Sequence, residues 1–135
     1  MATPHVFSKP YVSISGTDYI CMATRVALTP SDIMADASTF CYPGMEIPGT
    51  SVWTCEITFK NGYGAAELWN ALSAIEKTSV AFVIRPDTGV IGVTNPQADF
   101  TAYLPSIPFI DAGMSTTHEF TISMVSEGDP VFTTV

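Results

Sequence analysis

The side chains able to do chemistry are few: two histidines, three cysteines, 13 carboxylates and 5 cations in 135 residues. His5 and His118 lie far apart, and neither belongs to an H-x-x-x-H or carboxylate-spaced set of the kind that holds a metal. They read as ordinary hydrogen-bonding histidines. Cys21, Cys41 and Cys55 are odd in number and include no C-x-x-C pair, which fits neither a disulfide framework nor a zinc site. Cys55 alternates with Trp53 and Ile57 on an apolar row, where a free thiol behaves as a small hydrophobe. A nucleophile would need a basic neighbour to lower its pKa, and the sequence names none. The segment "KNGYG" at 60–64 sets Gly62 and Gly64 before a helical pattern, as a phosphate cradle would. A P-loop must end in Gly-Lys-Ser/Thr, however, and Ala65-Ala66-Glu67 stands there, so the segment reads as a strand-to-helix turn. Arg85 and Asp87 resemble a charge pair, but Arg85-Pro86-Asp87-Thr88-Gly89 has the composition of a β-turn in which Asp bonds nearby backbone. The expectation is a chain that is not an enzyme, with no catalytic residue, cofactor or metal.

The remaining carboxylates fall singly. Glu56, Asp99 and Glu119 sit on the polar sides of separate strand patterns, where a solvated sheet face is the plain reading. The same faces are otherwise Thr and Ser, which suits the lining of a pore. A formal net charge of −8 repels phosphate backbones and anionic lipid. Lys9, Lys60, Lys77, Arg25 and Arg85 are too scattered for the basic stripe that nucleic-acid affinity requires. Hydrophobic residues make up 47% of the chain and charged residues 13%, about half the usual charged share of roughly 25%. Little charge is left to solvate a monomer, and self-association is expected. The start lacks a charged stretch followed by an apolar one, and no apolar run nears the roughly 20 residues that span a bilayer. A protein made in a reducing cytoplasm, without membrane contact, is expected.

The elements that must position these residues are mainly strands. "SVWTCEITFK" at 51–60 alternates Trp53, Cys55, Ile57 and Phe59 with Thr54, Glu56, Thr58 and Lys60, which is period two with one dry face. "TTHEFTISMVS" repeats the pattern through Phe120, Ile122 and Met124. "SVAFVIR" at 79–85 is nearly all apolar and is expected to be buried on both faces. "ADFTAYL" at 98–104 reads as its partner, with Phe100, Ala102 and Leu104 on one side. "PYVSIS" at 10–15 and "YICMATRVAL" at 19–28 flank Gly16-Thr17-Asp18 and predict a hairpin. Ala65, Leu68, Trp69, Leu72 and Ile75 share a face at helical spacing and predict one helix over 65–77. So short a helix persists only when docked. Two stretches show neither period: 29–50, read as a long loop rich in Pro and Gly, and the extended apolar link 104–114. The fold expected is a single domain over 1–135, mainly β: an antiparallel β-sandwich or barrel-like domain with one short flanking α-helix.

From Trp53 onward the order is strand, short helix, buried strand with an Arg-Pro-Asp turn, strand, Pro-rich link and closing strand. The segments "WTCEITFKNGYGAAELWNALSAIEKTSVAFVIRPDTGVIGVTNPQADFTAYL" and "FTISMVSEGDP" resemble the tail tube (major tail) proteins of long-tailed bacteriophages over roughly the last 85 residues. The resemblance implies a structural virion protein of the tail, made in the host cytoplasm. Its copies would join as hexameric rings stacked into a hollow tube and meet other phage tail proteins. DNA would pass through without specific binding. Glu56 and Glu119 then become candidates for the lumen wall, and the 29–50 segment for contacts between subunits or rings. Other readings are a head-tail completion or capsid decoration protein, and a monomeric ligand-binding β-sandwich.

Overall fold

A computed structural model describes residues 10–18, 23–60, 68–109 and 119–134. The protein is mainly β, with strands in two antiparallel sheets and one short helix, a sandwich-like arrangement. The strands are β1 (Tyr11–Ile14), β2 (Thr17–Asp18), β3 (Ala23–Asp36), β4 (Glu46–Lys60), β5 (Ser79–Arg85), β6 (Gln97–Tyr103), β7 (Glu119–Val125) and β8 (Val131–Thr133). One sheet has the order β2-β1-β5-β6-β8 and the other β3-β4-β7.

Alternation explains the layering. In β4, Cys55, Ile57 and Phe59 are fully buried. They lie directly opposite Met124, Ile122 and Phe120 of β7, so the apolar rows of the two strands coincide on the inner face. The second layer answers with Val12 and Ile14 of β1, Phe82 of β5 and Phe100 and Ala102 of β6, all in the same core. Phe82 stacks on its cross-strand partner Phe100, with ring centroids 5.2 Å apart. Burial of each large side chain contributes about 1.5–3 kcal/mol, and one shared core binds the two sheets.

The helix α1 (Leu68–Ser73) ends four residues before the period predicts. Leu72 is fully buried, and Trp69, Ala71 and Ile75 pack against the core. The helix ends because Ile75 N–H donates to Leu72 O three residues back, and Lys77 takes a positive φ of 62°. Lys77 N–H then donates to Leu104 O, and Leu104 N–H to Thr78 O. These bonds turn the chain into β5. Residues 61–67, on which the predicted glycine turn and the predicted start of the helix fall, lie outside the described residues.

Three further expectations are corrected. β1 turns through Ser15 (φ 53°) and Gly16 (φ 83°), the paired positive φ values of a two-residue hairpin, and among the described residues Thr17 and Asp18 return along it. The chain from Ala23 belongs to the other sheet, and the main partner of β1 is β5. β5 is not buried on both faces: Val80 and Phe82 face the core while Ser79 and Ala81 are exposed, because no second layer covers the outer side there. Finally, 29–50 is not a loop. Most of it is two strands, β3 and β4, paired from Ala23↔Phe59 to Asp36↔Glu46.

Candidate assembly surfaces

β3 and β4 run together far beyond their sheet. β7 accompanies β4 only from Lys60 to Thr54, so past Trp53 the hairpin continues, among the described residues, as a two-stranded ribbon with no third strand. We refer to this ribbon as the arm. Residues 31–50 are exposed apart from the half-buried Ala37. At about 3.3 Å per residue the paired part of the arm projects roughly 20 Å. It is nonetheless closely built. Ala37 N–H donates to Met45 O at 2.9 Å, and Thr39 and Tyr42 exchange backbone hydrogen bonds at 3.2 Å. Asp36 accepts from Ser38 N–H at 2.9 Å. The Ser38 hydroxyl and backbone N–H beside Asp36 hold its carboxyl below the ordinary value. Gly49 sits at the register shift between Asp32 and Met34. Any Cβ there would stand 2.8 Å from the Ile33 carbonyl oxygen, so the close crossing of the two strands requires glycine.

The arm carries Ile33 (58% exposed), Tyr42 (65%) and Phe40 (108%), with Met34, Met45 and Ile47 also exposed. Its charges are all negative. Asp32, Asp36 and Glu46 lie on it, and no Lys or Arg occurs between Arg25 and Lys60. Asp36 and Glu46 are cross-strand partners, and like charges directly opposite one another are destabilising.

The outer face of the three-stranded sheet is polar. Thr58 and Thr121 share a hydrogen bond at 2.8 Å, and Glu56, Thr54 and Ser123 extend the row. The structure places both predicted lumen residues, Glu56 and Glu119, on this face and on neighbouring strands. Each lies beside a cation: Glu56 pairs with Arg25 at 3.4 Å, and Glu119 lies opposite Lys60. Among the described residues this part of the face is electroneutral rather than negative. Asp99 is on the other sheet, where Gln97 donates to it at 3.0 and 3.1 Å. Among the described residues β3 and β7 form the two edges of their sheet, and neither has a second partner in it.

A cleft of about 510 Å³ opens along the inner side of β3. Ala23, Val26 and Leu28 form one wall, Ile84, Ala98 and Phe132 the other, and Arg25 and Arg85 also line it. The Arg85 guanidinium lies 4.0 Å above the Tyr11 ring and donates to Gln97 Oε1 at 3.1 Å. Its buried Nε has no hydrogen-bond partner among the described residues.

The candidates for ordinary roles are placed as follows. Cys55 is fully buried, and burial, followed by the neighbouring Glu56 charge, pushes its thiol up to about 12. Asp87 accepts from Thr88 N–H at 2.6 Å, as a turn residue does, and Arg85 is engaged elsewhere. The turn it begins is a longer loop organised by Asn95, which the sequence reading missed. The histidines and Cys21 lie outside the described residues. The arm and the cleft were also missed. The one signal for the arm was Tyr42-Pro43-Gly44, turn chemistry midway between Ile33 and Val52. No family model matches the sequence, and no curated protein is similar to it at a significant level.

Proposed function

We propose that the chain is a structural protein that polymerises, and that the assembly is a phage tail tube. The observation that carries this reading is the arm. An isolated two-stranded hairpin is marginal in water, yet this one is long and displays six large apolar side chains with no core of their own. Such a surface becomes stable when another subunit covers it.

The three-stranded sheet supports the same reading. Its two open edges are a liability in a monomer and a means of closure in a ring, where β3 of one copy meets β7 of the next. Six copies would supply roughly eighteen strands, a number at which a closed barrel leaves an aqueous channel. Strands about 4.8 Å apart and tilted by about 40° give a backbone diameter of about 35 Å. The Thr-rich face carrying Glu56 and Glu119 would then line the channel, and it offers passing DNA no excess of cations.

The cleft favours a second reading, a monomeric ligand-binding sandwich, because about 510 Å³ is within the range of small-molecule pockets. That reading leaves the arm without a role. Negative-stain microscopy and sedimentation separate the two. The wild-type chain is expected to form tubes, and a variant with residues 33–47 replaced by Asn-Gly is expected to stay folded and monomeric. Isolated rings without tubes would favour a head-tail completion or decoration protein. A compact monomer at every concentration, even with a tail initiator present, would overturn the proposal.

A further inference from the structure

We infer that the seam between neighbouring copies in the ring is a parallel pairing, β3 of one copy beside β7 of the next; this inference deepens the assembly reading above and rests on it. The first observation is strand direction. β3 is antiparallel to β4, and β4 is antiparallel to β7, so β3 and β7 run the same way along the two edges of their sheet. Copies in a ring are related by rotation about the tube axis. Rotation leaves the sense of a strand along that axis unchanged, and strands tilted by about 40° have a definite sense. The β3 edge therefore meets a β7 that points the same way. Pairing β3 with β3 and β7 with β7 would instead need two-fold axes across the wall, and alternate arms would then point toward opposite ends of the tube.

The second observation is the fit of the two edges. Thr58 pairs with Arg25 on one side and Thr121 on the other, and Thr54 pairs with Thr29 and Val125. The two edges thus lie level across β4, and they also end level. β7 stops at Val125, and Thr29 is followed by Pro30, which has no N–H to give a neighbouring strand. β2 has two residues and β8 three, so among the described residues the other sheet has no edge of comparable length. Parallel pairing is slightly less stable per residue than antiparallel pairing, which makes the seams the weak lines of the wall.

Disulfide trapping reads the direction of the seam. In a chain carrying Cys21→Ser and Cys41→Ser, with the buried Cys55 kept, a cysteine is placed at every second residue of β3 from Arg25 to Ser31. Each is combined with a cysteine at every second residue from Glu119 to Glu127. Within one chain β4 lies between, and two strand spacings hold β3 and β7 about 10 Å apart, beyond the roughly 7 Å that a disulfide spans. Linkage can form only between copies. After assembly and oxidation, each productive pair is expected to give a series of linked chains at least tenfold above its single-cysteine parents. Moving the β3 cysteine two residues toward the C-terminus should move its best partner two residues the same way. A best partner that moves the opposite way, or dimers linked through β3 cysteines alone, would overturn this inference while the tube stands. Tubes that form normally with no linkage at any pair would also overturn it alone. Failure of the wild-type chain to assemble at all would overturn both this inference and the reading it rests on.

Discussion

The amide of Asn95 holds together the loop at 86–96. It donates to the carbonyls of Asp87, Gly89 and Val90 at 3.0–3.3 Å and accepts from Asp87 N–H at 3.0 Å. Asn95 is itself 7% exposed, so these groups have little water to turn to. Asn95→Ala is expected to cost about 1–3 kcal/mol in urea unfolding, the penalty for orphaned buried polar groups. Asn95→Asp is expected to cost more, because a carboxylate would face three carbonyl oxygens. Equal stability of the two variants would contradict this account. Cys55 supports a pH prediction. An unfolded thiol ionises near 8.5, whereas the native one is held neutral up to about 12. The native state therefore keeps a proton that the unfolded state releases. This contribution is fully present below about pH 8.5 and is lost as pH rises toward 12. Cys55→Ala should flatten that part of the stability profile, measured by denaturation between pH 8 and 11. The two residues differ in legibility. The setting of Cys55 could be read from its alternating neighbours, whereas the partners of Asn95 are backbone groups of its own loop, which residue types do not reveal.

The same contrast holds for elements. Period two records burial on one side, so β4 from Trp53 to Lys60, β6 and β7 were readable as strands. The arm is exposed on both faces, so its strands leave no alternation, and Pro30 and Pro48 add the appearance of a loop. Both prolines are tolerated because each sits where its strand has only one neighbour: β3 is an edge throughout, and β4 becomes one beyond Trp53. The helix was readable as a face, but its end was not, because the end depends on the long-range bonds between Lys77, Thr78 and Leu104. The arm supports a prediction in which stability and assembly move in opposite directions. Glu46→Lys places an ammonium opposite Asp36 and replaces a repulsive cross-strand pair with an attractive one, worth about 0.2–1 kcal/mol to the hairpin. The free protein should hold its arm more firmly, seen as slower amide exchange at Asp36 and Ala37. The same change puts a cation on an arm whose charges are otherwise all negative, on the surface that a neighbouring subunit is proposed to cover. The concentration needed for tube formation should rise several-fold. A variant that both stiffens the arm and assembles more readily would show that the arm's negative charge has no part in assembly.

Over the whole molecule, the net charge of −8 is unevenly spread, and its distribution matters more for function than its size. The arm is wholly acidic, while the polar face of the three-stranded sheet sets Arg25 and Lys60 against Glu56 and Glu119. A channel lined by that face would be neutral per subunit and rich in hydroxyl groups, so it would neither grip a duplex nor repel it strongly. This differs from a negative wall built by two carboxylates alone, and cross-strand register, which determines the difference, is not visible in composition. Glu119→Lys tests the assignment directly. It converts two cations and two carboxylates per copy into three and one, a change from neutral to +2, and every ring of a tube repeats it. The cost to folding should be small, about 0.2–1 kcal/mol for a second ammonium opposite Lys60, so tubes should still form. Each phosphate the new cations contact adds about 0.9 to the slope of log affinity against log salt. Purified variant tubes should therefore retain duplex DNA at low salt and release it steeply as salt rises, while wild-type tubes retain little at any salt. If the variant tubes hold DNA no better than wild type, or hold it only on their outer surface under the microscope, this sheet face does not line the channel, and the five-stranded sheet, with Asp99 on it, becomes the wall to test.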